Sequence, residues 1–226
     1  MSIGKRYKFN GSIFQVETAR ATSKKVTAIT VANPAVFTAT THGLAIGDTV
    51  YLDVEDGMPE LAAGEYVVKT VPSANTFTLY NGSTRSVDSS AYAAFDAGSP
   101  SDNAVSKVTY TNFCELTGYN QQGGQADTID ATTICSTAKE FETGLADTGT
   151  LTLDYNAAPQ QPVQLAIEAA GESGESLAFR LVFPRSGGTV IMFGSVQSTS
   201  LSGSNGDLHK ANATIKLSGP VVRIAA

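Results

Sequence analysis

In residues 149–156, GTLTLDYN, Leu151, Leu153 and Tyr155 alternate with Thr150, Thr152, Asp154 and Asn156. Alternation with period two marks a strand that turns one face to a core and the other to water. The run from Lys107 to Thr117 predicts a second such strand, with Val108, Tyr110, Cys114 and Leu116 on one face and Thr109, Thr111, Phe113, Glu115 and Thr117 on the other. The segment between them, GYNQQGGQADTIDATTICSTAKEFETGLADTG, is too long for a hairpin turn. Loops of that length inside a compact domain are functional or disordered. Two half-apolar strands need further layers to cover them, and the rest of the chain has to supply those.

The C-terminal third does so. AAPQQPVQLAIEAAG (157–171) predicts one short amphipathic helix, with Pro159 or Pro162 in its first turn, Val163, Ile167 and Ala170 on its apolar stripe, and Gly171 or Gly174 at its end. Leu177, Phe179, Leu181 and Phe183 then alternate with Ala178, Arg180 and Val182, and Arg185 to Gly188 turns the chain into TVIMFGSVQSTSL. In the last run Asn212, Thr214 and Lys216 face away from Ala211, Ala213, Ile215 and Leu217. Strands clustered around a single helix favour an antiparallel β-sandwich over a parallel sheet.

At the other end, Tyr7, Phe9, Ile13 and Phe14 predict an opening strand or arm, and ATSKK (21–25) a linker. From Val26 the texture changes. VTAITV, AVFTAT, DTVYLDV, GEYVVKTV and TFTLY are separated by the turn-forming pairs Asn33-Pro34, His42-Gly43, Gly47-Asp48 and Asp56-Gly57 and by Ser73 to Asn75. This reads as a small all-β barrel, with Ser83 to Asn103 as its trailing edge and return linker. The expected organisation is a sandwich in two parts, 1–25 and 101–226, interrupted by an inserted barrel at 26–100, with a long loop at about 121–148.

Charge follows the same division. Residues 26–100 hold eight acids and two bases, which accounts for the whole formal charge of −6. That acidic segment is ill-suited to nucleic acid. No run of eighteen apolar residues offers a membrane span, and the N-terminus lacks the unbroken apolar stretch of a secretory signal. Cys114 and Cys135, too few for a disulfide framework, are expected to be free thiols in a reducing compartment.

Catalytic chemistry finds little support. The only histidines, His42 and His209, fall in different expected units, so a triad or a His-based metal site would have to pair them across the units. Asp53, Glu55 and Asp56 before Gly57 miss the EF-hand spacing. Asp127 and Asp130, and Glu140 and Glu142, lack the framing of a glycosidase pair. Gly123-Gly124 has no Lys-Ser/Thr to make a phosphate loop, and Arg185 to Gly188 is a hairpin turn. The basic Lys5, Arg6 and Lys8, interleaved with Tyr7 and Phe9, suit a terminal arm against a neighbouring subunit more than a DNA contact. No enzyme activity, metal or cofactor is expected.

The strand end FCELTG, the Thr-rich loop TIDATTICSTAKEFETGLADTG, the strand TLTLDYNA, the short helix after it and the closing HKANATIKLSGPV follow one another in an order that resembles the major tail tube protein of phages with long, non-contractile tails. The resemblance covers residues 1–25 and 101–226. In the inserted segment, Thr41, His42, Gly43, Leu44, Gly47, Asp48, Val50, Gly57, Met58, Leu61, Gly64, Val67 and Phe77 resemble a barrel module that recurs in phage tail proteins, similar to the non-catalytic barrel insert of ubiquitin-activating enzymes.

The resemblance implies a structural virion protein that self-assembles into stacked, hexameric rings around a hollow DNA conduit. Its implied partners are other copies of itself, the tape measure, tail terminator and tail tip proteins, and DNA passing without specific binding. Assembly would take place in the bacterial host cytoplasm. Thr109, Thr111, Glu115, Thr150, Thr152 and Asp154 become candidates for the lumen. Thr132, Thr133, Ile134, Lys139, Glu140, Phe141 and Glu142 become the inter-ring interface, on a loop that orders on contact. The alternative is a virion surface module that binds host glycan through the inserted barrel.

Overall fold

Leu151, Leu153 and Tyr155 are buried and Asp154 is exposed, as the alternation of 149–156 requires. The computed structural model describes residues 6–54, 58–61, 63–82, 84–97, 103–219 and 221–225. In chain order the strands are β1 (Ile13–Arg20), β2 (Lys24–Ile29), β3 (Phe37–Ala39), β4 (Thr49–Val54), β5 (Gly64–Ser73), β6 (Thr76–Asn81), β7 (Arg85–Ser86) and β8 (Asn103–Asn112). There follow β9 (Leu116–Gly123), β10 (Ala126–Asp130), β11 (Phe141–Ala146), β12 (Gly149–Asn156), helix α1 (Pro162–Ser173), β13 (Ser176–Val182), β14 (Thr189–Ser202), β15 (Lys210–Leu217) and β16 (Val222–Ile224). The protein is mainly β, every pairing is antiparallel, and α1 is the one α-helix among the described residues.

The strand order β8-β1-β13-β14-β15-β12-β9 forms a sheet that folds over on itself. Although β1 and β9 stand far apart in that order, the rings of Phe14 and Tyr119 lie 5.8 Å apart across the interior. Phe179, Met192, Leu151, Leu153 and Ile215 fill the space between the layers. Helix α1 closes it with Val163, Ile167 and Ala170, the stripe expected from the sequence. Pro162 sits in the first turn, and Gly174, at φ +75°, ends the helix by donating its N–H to the Ala170 carbonyl at 2.9 Å. The buried Gln164 amide binds both the Asn156 carbonyl (2.9 Å) and the Ala158 N–H (2.8 Å), which sets the angle at which the helix leaves β12.

A second core, built on Phe37, Leu52, Met58, Phe77 and Leu79, lies inside a ring of strands in the order β2-β3-β6-β5-β4-β8. Lys24 and Lys25 pair with Val105 and Ala104 and close that ring into a barrel. The barrel therefore draws a wall from either side of the 26–100 segment: Lys24 and Lys25, expected in a linker, open β2, and Asn103–Lys107 of β8 pairs with β4. The other half of β8 pairs with β1 in the sandwich. Barrel and sandwich share one strand.

The run expected as a strand from Lys107 to Thr117 is broken. β8 ends at Asn112, the chain turns through Phe113–Glu115, and β9 starts at Leu116. The turn reverses the expected faces, so that Phe113 is buried and Cys114 exposed. Half of the loop expected at 121–148 is strand: β9 runs on to Gly123, and β10 and β11 pair as a two-stranded arm. Of the residues singled out from the sequence, Lys5, Glu55, Asp56 and Gly57 lie outside the described residues.

Candidate assembly surfaces

The arm grows directly out of the sheet. Gly123 and Gly149 form the last pair of β9 and β12, Asp147 donates its N–H to the Gln125 carbonyl at 2.9 Å, and the ladder resumes at Ala126 and Ala146. The two legs pass so closely that a Cβ on Gly124 would overlap the Asp147 carbonyl, and one on Gly149 the Gln122 carbonyl. Gly149 also takes φ +96°, which favours glycine. The Asp147 carboxylate accepts from the Gly149 N–H at 3.0 Å and pairs with Lys216 of β15, and the Thr148 hydroxyl donates to the Leu217 carbonyl. These contacts hold the root against the sheet.

The tip is ordered by its own hydroxyls. Asp130 accepts from the Thr132 N–H (2.9 Å) and hydroxyl, Thr132 Oγ1 accepts from the Glu140 N–H (3.1 Å), and Thr133 and Ser136 bond through their side chains at 3.1 Å. These local side-chain bonds are what Ser, Thr and Asp supply in turns. The Thr132 hydroxyl and N–H also hold the Asp130 carboxyl below the usual aspartate range.

The arm has no core beneath it. Phe141 is 58% exposed, Leu145 90%, and Ile134 at the tip is fully open to solvent. Glu142 shares one face with Ile129, its partner in register, and Phe141 takes the other, and a register shift between Thr128 and Ala126 inserts an extra residue of β11 before Ala146 and interrupts the alternation ahead of Leu145. Of the residues expected at an inter-ring contact, Thr132, Thr133 and Glu140 meet in the tip and Phe141 and Glu142 begin β11. Leu145 and Ile129 were not singled out from the sequence, where each is an isolated apolar residue in a polar run.

The expected lumen residues divide. Thr150, Thr152 and Asp154 stand on the outer face of β12, in register with Gln122, Asn120 and Gly118 of β9 and with Lys216, Thr214 and Asn212 of β15. The outer face continues across β14 through Ser198 and Ser200. Asn212 donates to Asp154 at 2.6 Å. Glu115 lies at the end of this face, where its carbonyl accepts from the Asn156 N–H at 3.0 Å. Thr109 and Thr111 belong to β8, at the opposite end of the strand order, and Thr111 is hydrogen-bonded to Thr18 at 2.8 Å.

Charge is concentrated at the seam between barrel and sandwich. The buried Glu17 accepts from Arg20 Nε at 2.8 Å and from the Ala178 N–H at 2.9 Å. Arg20 lies 4.0 Å over the Tyr51 ring and 3.7 Å from the Glu65 carboxylate. Burial, and then the neighbouring Glu17 charge, push the Glu65 carboxyl above the usual range against the pull of Arg20. Beside them Val67 of the barrel packs with Ala178, Ile191 and Phe193 of the sandwich, and the Tyr110 hydroxyl donates to Thr49 at 2.8 Å. The two units are thus packed and hydrogen-bonded to each other.

His42 is buried edge-on to Phe77 with its Nδ1 accepting from the Leu44 N–H, and His209 is exposed beyond the end of the sandwich. Among the described residues no group of three or more His, Cys, Asp or Glu side chains is placed to hold a metal ion.

No curated protein matches the sequence. Solved structures are similar to part of the chain, among them two phage-tail-type assemblies. A hybrid solid-state NMR and cryo-EM structure of the SPP1 tail tube is 13% identical, covering 52% of this chain and 69% of that one, with a TM-score of 0.41. The tail of an empty GTA particle, computed with helical refinement in C6 symmetry, is 16% identical, covering 51% of this chain and 87% of that one, with a TM-score of 0.42. Residues 98–192 match the family model described as phage tail tube, TTP, lambda-like. The matched stretch contains β8, β9, the arm, β12, α1, β13 and the start of β14, so the similarity to phage tail tube proteins falls on the sandwich and its arm and leaves β2–β7 outside.

Proposed function

We propose that this chain is the repeating subunit of a phage tail tube: a non-enzymatic structural protein that closes into rings and stacks them through its arm. The observation that carries this is the arm itself. An isolated two-stranded ribbon is at best marginally stable in water, and this one exposes Phe141, Leu145 and Ile134. Apolar residues on such a ribbon are explained by a partner that covers them. Thr132, Thr133, Ile134, Lys139, Glu140, Phe141 and Glu142 take the inter-ring contact, with Phe141 as apolar anchor and the charges setting register.

Two backbone edges support lateral closure. β9 ends the strand order, and among the described residues, 108–112 of β8 pair only with β1. Exposed edges invite pairing between copies, and a closed sheet removes them. In such a ring the hydroxyl and amide face of Thr150, Thr152 and Asp154 would turn to the lumen, with Glu115 at its end, where DNA slides without specific contacts. Thr109 and Thr111, on β8, would lie near a subunit boundary.

Six subunits per ring, the tape measure, terminator and tip proteins as neighbours, and assembly in a bacterial cytoplasm before incorporation in the virion tail complete the reading, on the strength of the tail-tube resemblance. The 26–100 segment is an insertion into the tube sandwich. Its resemblance to the insert of ubiquitin-activating enzymes concerns shape and carries no ubiquitin chemistry.

Negative-stain electron microscopy of the pure protein over a concentration series tests this, beside a version lacking Gln125–Ala146. Rings or tubes from the intact chain, with stacking lost in the deletion, are expected. A folded monomer at every concentration would refute it.

A further inference from the structure

The end of β12 away from the arm carries an apolar surface that the chain itself leaves open. Tyr155, Ala211 and Leu201 form a row across β12, β15 and β14 in register. Tyr155 and Ala211 belong to the core or pack on it, but Leu201 is 70% exposed, because β14 runs on past its partner β13, leaving Gln197–Ser202 exposed although still beside β15. Together with Pro159 they line an open groove of about 370 Å³, flanked by Glu168 of α1 and by His209.

We infer that this groove receives Phe141 from the arm of a second copy of this chain. The inference rests on the tail-tube reading above and names the surface on which the arm lands. Three observations select the occupant. First, the arm leaves β12 at Gly149, whereas Tyr155 lies at that strand's other end and the groove beyond it. The eight residues of β12 span about 25 Å, so arm and groove open at opposite ends of the subunit. A copy placed head to tail on another brings the two together, and a contact between unlike surfaces on translated copies propagates as a stack.

Second, the chemistries match. The groove is an incomplete cross-strand row that lacks an apolar side chain over Leu201, and Phe141 is an aromatic side chain on a strand that lacks a layer beneath it. Third, polar groups at the groove's rim can pair with those of the arm. Residues 126–147 carry five acids and one base, Lys139. The His209 ring in the groove offers an N–H to Glu140 or Glu142, and Glu168 offers an anion to Lys139. Rim charges of this kind set register and speed association.

The test uses the full chain with Cys114→Ser and Cys135→Ser, since both native thiols are exposed. One preparation carries Phe141→Cys and a second, distinguishable in size by a tag, carries Leu201→Cys. Mixed, assembled and mildly oxidised, they should yield a disulfide-linked heterodimer that neither gives alone. In a separate arm, Leu201→Glu should leave the melting curve unchanged, because the side chain is largely exposed, and should raise the concentration needed for stacking by about tenfold or more, as loss of one buried anchor implies. Tubes that form without the cross-link, and a Leu201→Glu protein that stacks at the unmodified concentration, would overturn the groove assignment while leaving the tube reading in place. If the unmodified chain forms no tubes at all, both fail.

Discussion

Lys216 Nζ reaches both carboxylate oxygens of Asp147, at 2.5 and 2.6 Å, and so ties the root of the arm to β15. The Gly149 N–H and then Lys216 hold the Asp147 carboxyl below the usual aspartate range. For a carboxylate depressed in the folded state, the stabilisation is present above its unfolded value and disappears as pH falls through the lower, folded one. Asp147→Asn should therefore speed hydrogen exchange of amides 126–146 at neutral pH and leave those of Leu151–Tyr155 unchanged. The native protein should show the same loosening only in acid, below the ordinary aspartate range. Equal protection of the arm in both proteins at neutral pH would mean that the Lys216 contact does not hold the root.

Glu65 behaves in the opposite sense. Its carboxyl is raised by burial, so the folded state favours its protonated form, and stability associated with that proton is lost as pH rises through the folded value. Glu65→Gln keeps the shape and removes the buried charge. The substitution should raise the melting temperature at pH 7, and the gain should shrink as pH falls through the carboxylate range. A lower melting temperature at pH 7 would show that the 3.7 Å approach of Arg20 outweighs desolvation.

Ile167 has no exposed surface and stands where α1 meets the sandwich core. Ile167→Ala leaves a cavity between helix and sheet, and truncations of this kind cost about 2–5 kcal/mol. Urea unfolding of the monomer measures it, with the midpoint falling and the slope unchanged. A cost below about 1 kcal/mol would mean that α1 shifts to fill the space, as sites able to collapse do.

The parts of this fold that sequence periodicity exposed are those where one strand has one wet and one dry face. β12 and β15 show it, as does α1, whose stripe of Val163, Ile167 and Ala170 is the stripe that packs. Periodicity misled at Phe113, because a three-residue turn reverses which residue points inward without changing composition. It was silent at Ala178, which lies on the outer face of β13 and is buried there by Val67 of the barrel, since docking between distant segments leaves no local trace. The closure of the barrel by Lys24 and Val105 is invisible for the same reason. For the candidate surfaces, Phe141 stood out as an aromatic side chain in a polar loop, whereas Leu201 looked like the ordinary end of a strand.

That shared wall gives a test of the domain division. A fragment spanning 26–100 lacks Lys24, Lys25 and the Asn103–Lys107 half of β8, so its ring is open and Val105 is missing from its core. A fragment spanning 22–108 retains both. Circular dichroism and thermal melts should show cooperative unfolding for the longer fragment and none for the shorter. Cooperative folding of 26–100 by itself would mean that β8 is dispensable and that the insertion is self-contained.

The outer face of β9, β12, β15 and β14 presents Asn120, Gln122, Thr150, Thr152, Asn212, Thr214 and Ser198, with Asp154 bonded to Asn212 and Lys216 neutralised by Asp147. On this face Lys210, in register with Asn156, adds a cation at the far end, and the hydroxyls and amides between it and Lys216 offer DNA phosphates little to hold. Thr150→Lys with Thr152→Lys adds two unpaired cations at exchangeable, partly exposed positions and should leave the fold and the rings intact. Tubes of that variant should retain duplex DNA at low salt and release it as salt rises, with a slope of about −0.9 per phosphate neutralised. The native tubes should show no such retention. If both bind DNA alike, or neither does while the tubes remain open, this face does not line the channel, and the lumen must be sought on another surface of the subunit.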